Sequence, residues 1–129
     1  MENLYDTYRK SVPRDGYTHP FFHENRSKGT GVFKNRNLRH LLLMLNRHTP
    51  DLFPMTVEER LALFALIDDC REVIEENFRP AGYNTGFNTG AAAGQTVMHC
   101  HCHMIPRYVG DVREPRGGIR GVVIGRQIY

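Results

Sequence analysis

A chain of 129 residues, 40% hydrophobic and 24% charged, is long enough for one domain with a real core and too apolar for global disorder. Its formal net charge of +3 suits an anionic small molecule, and is too weak and dispersed to argue for a nucleic-acid surface. No stretch approaches the ~18 apolar residues of a membrane span. The start, Met-Glu-Asn-Leu-Tyr-Asp, lacks a basic region followed by an apolar run, and Cys70, Cys100 and Cys102 make no disulfide framework. The expectation is an unexported, cytoplasmic protein without membrane or nucleic-acid partners.

In chain order, residues 1–13 read as a short helix or arm, Ser27 to Gly31 as a turn, and Val32-Phe33 as the start of a strand. Leu41 to Leu45 is a short apolar run and reads as a buried strand, followed by a turn at Thr49-Pro50-Asp51. Thr56 and Glu59 form a capping box that opens a helix. Val57, Leu61, Phe64, Ile67, Ile74 and Phe78 recur at helical spacing as its core stripe, and Pro80 and Gly82 end it. A strand of alternating character follows around Tyr83 to Asn88, then a tight Gly/Ala loop through Gly94. No linker separates a second domain, so residues 1–129 are expected to form one.

The most informative segment is Val97-Met98-His99-Cys100-His101-Cys102-His103-Met104-Ile105. Strand side chains alternate, so Val97, His99, His101, His103 and Ile105 would share one face. Met98, Cys100, Cys102 and Met104 would share the other, which reads as core. Successive histidine Cα atoms would stand about 7 Å apart and the three would span roughly 13 Å. That span is awkward for a single tridentate metal site and leaves at least one imidazole for chemistry. The preceding loop fits neither phosphate-loop fingerprint, but its small residues let backbone N–H groups approach an anion. Beyond the triad, Arg107, Arg113, Arg116 and Arg120 are suited to phosphate, though interleaved with acids and glycines. Arg107 is the favoured one because it follows the site strand directly.

His99-Cys100-His101-Cys102-His103-Met104-Ile105 resembles the signature of the histidine-triad (HIT) superfamily. The resemblance extends through Asn88, Gly94-Gln95-Thr96-Val97, Pro106-Arg107 and Gly117-Gly118, and back to Arg47-His48-Thr49-Pro50-Asp51. It is close from about Leu41 to Tyr129 and weak over residues 1–40. It implies an α+β, HIT-like fold, with about five antiparallel strands, one main helix and a short N-terminal helix or arm. It implies a homodimer paired around residues 57–89. It also implies nucleotide hydrolase or transferase chemistry: His101 attacks an α-phosphate, forms a nucleotidyl-histidine, and water releases the nucleoside monophosphate. Dinucleoside polyphosphates and nucleoside phosphoramidates share that reacting centre. His99, His103 and Gln95 would stabilise phosphoryl charge, while Thr96 and Asn88 match substrate-contacting positions.

Two departures stand out. Many prokaryotic members carry a Cys-x-x-Cys pair that joins two histidines around zinc; here that stretch is His19-Pro20-Phe21-Phe22. The retained histidine ligands map onto His48 and His99, with His19 replacing the first cysteine. Zinc is the candidate metal, and the chemistry itself requires no cofactor. Arg39-His40 stands where the family has Gly-His, and Asn37 is the nearest candidate for the ribose contact, uncharged where an acid is usual.

Histidine is nucleophilic when neutral, and its ordinary pKa of about 6.5 leaves it mostly neutral at pH 7. Neighbouring imidazoles on either side disfavour protonation of His101. Two other readings stay open: a non-catalytic nucleotide-binding protein, and a histidine-rich metal-binding module.

Overall fold

The computed structural model describes residues 23–25, 30–34 and 40–128. The expected N-terminal helix or arm, His19 and Asn37 lie outside them. The described strands are β1 (His23–Asn25), β2 (Thr30–Lys34), β3 (Leu41–Leu45), β4 (Gly82–Gly86) and β5 (His101–Arg107), and the single long helix is α1 (Val57–Phe78). The strands form one antiparallel sheet in the order β1-β2-β3-β5-β4, so the last strand in sequence lies between β3 and β4. This is the α+β sheet-and-helix arrangement expected from the sequence. No helix among the described residues is long and apolar enough to cross a membrane.

Register explains which face is core. Leu41 pairs with Met104 and Leu43 with Cys102, while Val32 pairs with Leu43. Directly opposed residues share a face, so these side chains line one side of the sheet. There they meet Leu63, Leu66, Cys70 and Ile74 of α1, all buried. Each fully buried Leu or Ile contributes roughly 1.5–3 kcal/mol relative to exposure. The capping box at Thr56 is fully formed: Glu59 N donates to Thr56 Oγ1 (3.1 Å) and Thr56 N donates to Glu59 Oε1 (3.0 Å). Arg47 holds the same Glu59 carboxylate through two donors, pinning the β3–α1 loop to the helix start. The helix ends as Arg79 turns left-handed ahead of Pro80.

Several expectations change, and Thr30 and Gly31, read as part of a turn, already belong to β2. Val57, Leu61 and Phe64 are not core; they are 68%, 64% and 66% exposed, and Phe78 is also exposed. Ile74 is buried and Ile67 packs against the core as expected, but α1 is apolar at every position from Leu61 to Ile67, so periodicity alone placed the first half of the stripe on the side away from the sheet. The strand after α1 ends at Gly86 rather than Asn88. The triad strand begins at His101, because Val97 to His99 form a bend instead. Cys100 N donates to Thr49 O at 2.7 Å, and Gln95 Nε2 donates to Pro50 O (2.6 Å) and Val97 O (3.1 Å). These bonds draw the segment toward the β3–α1 loop and off the strand line. Met98, expected in the core, is 49% exposed on that bend, whereas Cys100, Cys102 and Met104 are buried.

Candidate active site

On the sheet face away from α1, β5 presents His101 and His103. Their cross-strand partners on β3 are Met44 and Leu42, both buried yet apart from the helix-side core, so they floor the histidine face. On β4 the partner of His103 is Gly86.

His99 is not on this row. It is buried beneath the bend, 3% exposed, with Nε2 3.1 Å from the Leu45 carbonyl. A carbonyl only accepts, so Nε2 carries the proton and Nδ1 the lone pair. His48 Nδ1 lies 2.9 Å from that lone pair and donates to it, with the two rings stacked. His101 Nδ1 donates to the His99 carbonyl oxygen at 2.8 Å. The proton is thereby fixed on Nδ1, and Nε2 is the nitrogen that bears a lone pair.

His103 Nδ1 lies 2.7 Å from His40 Nε2, and Asn88 Nδ2 lies 3.5 Å from His103 Nε2. With Asn88 donating, His103 carries its proton on Nδ1 and passes the bond on to His40. The His101 and His103 rings meet edge to face, 4.9 Å between centroids. Burial pushes His99 and His103 down to about 4, with nearby imidazoles adding to the effect; burial also lowers His40 and His101. All four are neutral at pH 7, so the site holds a cluster of uncharged nitrogens rather than a cationic patch.

The structure thus gathers His99, His101, His103, His48 and Asn88, and adds His40, which the sequence placed at the family's Gly-His position without giving it a role at the site. Gln95 is buried, and both ends of its amide organise the loop: Oε1 accepts from Gly90 N (2.9 Å) while Nε2 serves Pro50 and Val97. The N–H groups of Ala93, Gly94 and Gln95 also close this loop on itself. Thr96 is exposed on the same connection. Arg107 shares the histidine face but stands at the far end of β5. Asp111 grips it through two bonds of 2.8 Å, and its third donor goes to Asn84 Oδ1.

For metal, His48 and His99 supply two nitrogens aimed at one another. On a tetrahedral zinc with ~2.0–2.1 Å bonds, two such ligands stand roughly 3.4 Å apart, so a small opening of the pair would admit an ion. No group of three or more His, Cys, Asp or Glu residues arranged for a metal occurs among the described residues.

An antiparallel α+β sheet whose last strand carries two alternating histidines, the first held by the backbone of a third, defines the class of protein. The HIT domain family matches residues 33–110, and the chain belongs to that family. A bis(5'-nucleosyl)-tetraphosphatase (asymmetrical) of Schizosaccharomyces pombe is 39% identical over 75 residues, covering 58% of this chain and 41% of the relative. An AP-4-A phosphorylase of Mycobacterium tuberculosis is 36% identical over 76 residues, covering 58% and 39%. The chain therefore spans less than half the length of these curated relatives. Among solved structures, a HIT family protein from Bacillus anthracis matches at 30% identity with a TM-score of 0.60, covering 69% of this chain and 63% of that one. A Zn-bound histidine triad family protein from Mycobacterium smegmatis matches at 27% identity and TM-score 0.60, covering 74% and 73%.

Proposed function

We propose that this protein hydrolyses nucleotides at the α-phosphorus through a covalent intermediate on His101. The observation that carries the reading is the 2.8 Å bond from His101 Nδ1 to the His99 carbonyl, which leaves the lone pair on Nε2 and so supports Nε2 as the nucleophile. The same bond stabilises the positive charge that the ring acquires when its other nitrogen is phosphorylated. In the first step the Nε2 lone pair forms the N–P bond, and the bond from phosphorus to the leaving group breaks with its electron pair. In the second, water attacks phosphorus, the pair returns to Nε2, the nucleoside monophosphate departs and the proton lost by water goes to solvent. His103, oriented by His40 and Asn88, packs edge to face against the reacting ring and holds it in place. The names of the relatives above, a tetraphosphatase and an AP-4-A phosphorylase, support dinucleoside polyphosphates as substrates. Rapid quench with α-labelled diadenosine tetraphosphate tests the reading: label should remain on wild-type protein, acid-labile and base-stable, and be absent from His101→Ala. Label on both proteins, or on neither, would refute it.

Zinc at His48 and His99, helped by His19 with His23 or water as the fourth ligand, is part of this proposal, and the zinc-bound structural relative supports it. The ion would tie the β3–α1 loop to the bend before β5 and takes no part in the two steps. The active form is a homodimer in this reading. It is supported by the open edge of the sheet at β4 and by the outward apolar row Val57, Leu61 and Phe64.

A further inference from the structure

The positive charge of this chain is concentrated at one end. From Val112 to Ile128 there are four arginines, Arg113, Arg116, Arg120 and Arg126, and one acid, Glu114. That surplus equals the formal +3 of the whole chain, so everything else is balanced and the charge is not dispersed.

The segment lies against the catalytic face. Gly86 and His103 are direct cross-strand partners and share that face. A Cβ on Gly86 would sit 3.8 Å from Ile119 Cδ1, an ordinary contact distance, so Ile119 lies directly over Gly86. Two residues along β4, Asn84 approaches Gly118, whose own Cβ would stand 3.3 Å from Asn84 Nδ2. Asn84 is itself held by Arg107, and Arg107 by Asp111. The segment also closes on itself. Gln127 Nε2 donates to the carbonyls of Glu114 (3.1 Å) and Arg116 (3.0 Å), and Arg120 Nε donates to the Arg126 carbonyl (3.2 Å). Gly117 turns at φ +90°, with the Gln127 carbonyl where a Cβ would project. Ile119 and Gly118 thus anchor a stitched loop beside His103, and Arg116 and Arg120 flank that anchor, both exposed.

We propose that Arg116 and Arg120 bind the polyphosphate that leaves when His101 attacks, so that the segment after β5 selects substrates whose leaving group is a phosphate chain. This rests on the reaction proposed above. When the N–P bond forms, the bond from the α-phosphorus to the bridging oxygen breaks and the electron pair stays on that oxygen. A polyphosphate carries this charge away as an anion and needs no proton. Guanidinium forks match such oxygens bidentately. The amine released from a phosphoramidate must instead take up a proton and offers a guanidinium nothing to hold.

The test uses the full chain, wild type and R116Q/R120Q. It compares kcat/KM on diadenosine tetraphosphate and on adenosine 5'-phosphoramidate, and binding of inorganic tripolyphosphate by calorimetry. Hydrogen bonds to charged groups predict that the variant loses at least about tenfold more on the tetraphosphate than on the phosphoramidate, and binds tripolyphosphate about tenfold more weakly or worse. Equal losses on both substrates, or unchanged tripolyphosphate binding, overturn the assignment. If wild type alone binds tripolyphosphate but neither substrate turns over, the His101 reaction is wrong and the leaving-group role falls with it. If both substrates turn over and binding is unchanged, only the arginine assignment falls.

Discussion

The ring of His101 donates to the backbone carbonyl of His99 at 2.8 Å, whereas the matching Nδ1 of His103 faces another ring, that of His40, at 2.7 Å. The difference decides their roles. A carbonyl accepts and never donates, so the tautomer of His101 is fixed by a group that cannot titrate. His103 is oriented by a partner that can itself gain a proton.

Replacing His101 by alanine should therefore remove turnover by several orders of magnitude, because no adjacent group replaces a covalent step. Nucleotide binding should stay within a few-fold. His40→Ala should cost less, roughly 10²-fold, since it acts only through His103 on the position of the reacting ring. Steady-state kinetics with isothermal titration separates the two, and a His101→Ala protein that turns over normally would end the proposal.

Acid should weaken the fold in a defined window. His99 and His103 are held near 4 by burial, below the ordinary 6.5. Between those values the unfolded chain binds more protons than the folded one, so stability rises with pH. It should be fully present above about 6.5, fall as pH drops toward 4, and gain nothing further from these two groups at higher pH. Urea midpoints across pH 4–7.5 check this, and His103→Asn should shallow the slope. A flat profile over that range would contradict the burial of the two rings.

Cys70, Cys100 and Cys102 are buried, and burial pushes their thiols up to about 12, 11 and 12. Labelling with a thiol reagent at pH 8 should be slow in native protein and fast in denaturant. Rapid labelling of the native chain would mean the two faces of β5 are exchanged.

Elemental analysis of protein purified without added metal should find zinc, reduced in His48→Ala. Less than about a tenth of an equivalent in the wild type would retire the metal.

Light scattering at micromolar concentration should report a dimer, and Leu61→Glu should yield a folded monomer, because that side chain is exposed in the single chain. A monomeric wild type would remove the pairing while leaving the fold untouched.

The parts of the fold legible in the sequence were those with one dominant local cause. The run Leu41 to Leu45 is buried at every position, and the Thr56–Glu59 box forms as written. The stripe on α1 misled because Leu61, Leu63, Phe64, Leu66 and Ile67 are all apolar, and only the sheet decides which of them it covers. Strict alternation failed at Val97 to His99 because contacts from Thr49 and Pro50, some fifty residues earlier in the chain, bend that segment. The pairing of His40 with His103 was hidden for a related reason: the two are 63 residues apart, and nothing local marks the contact.

The order of strands also sets a schedule. β3 is made early and β4 later, but both border β5, which is the last strand to exist. Until about residue 107 has emerged from the ribosome, β4 lacks its neighbour among the described strands and His40 has no His103 to meet. Pairings this distant in sequence form slowly, because the loop must close before the contact rewards it. The histidine cluster therefore cannot assemble before the strand that completes the described sheet has been made.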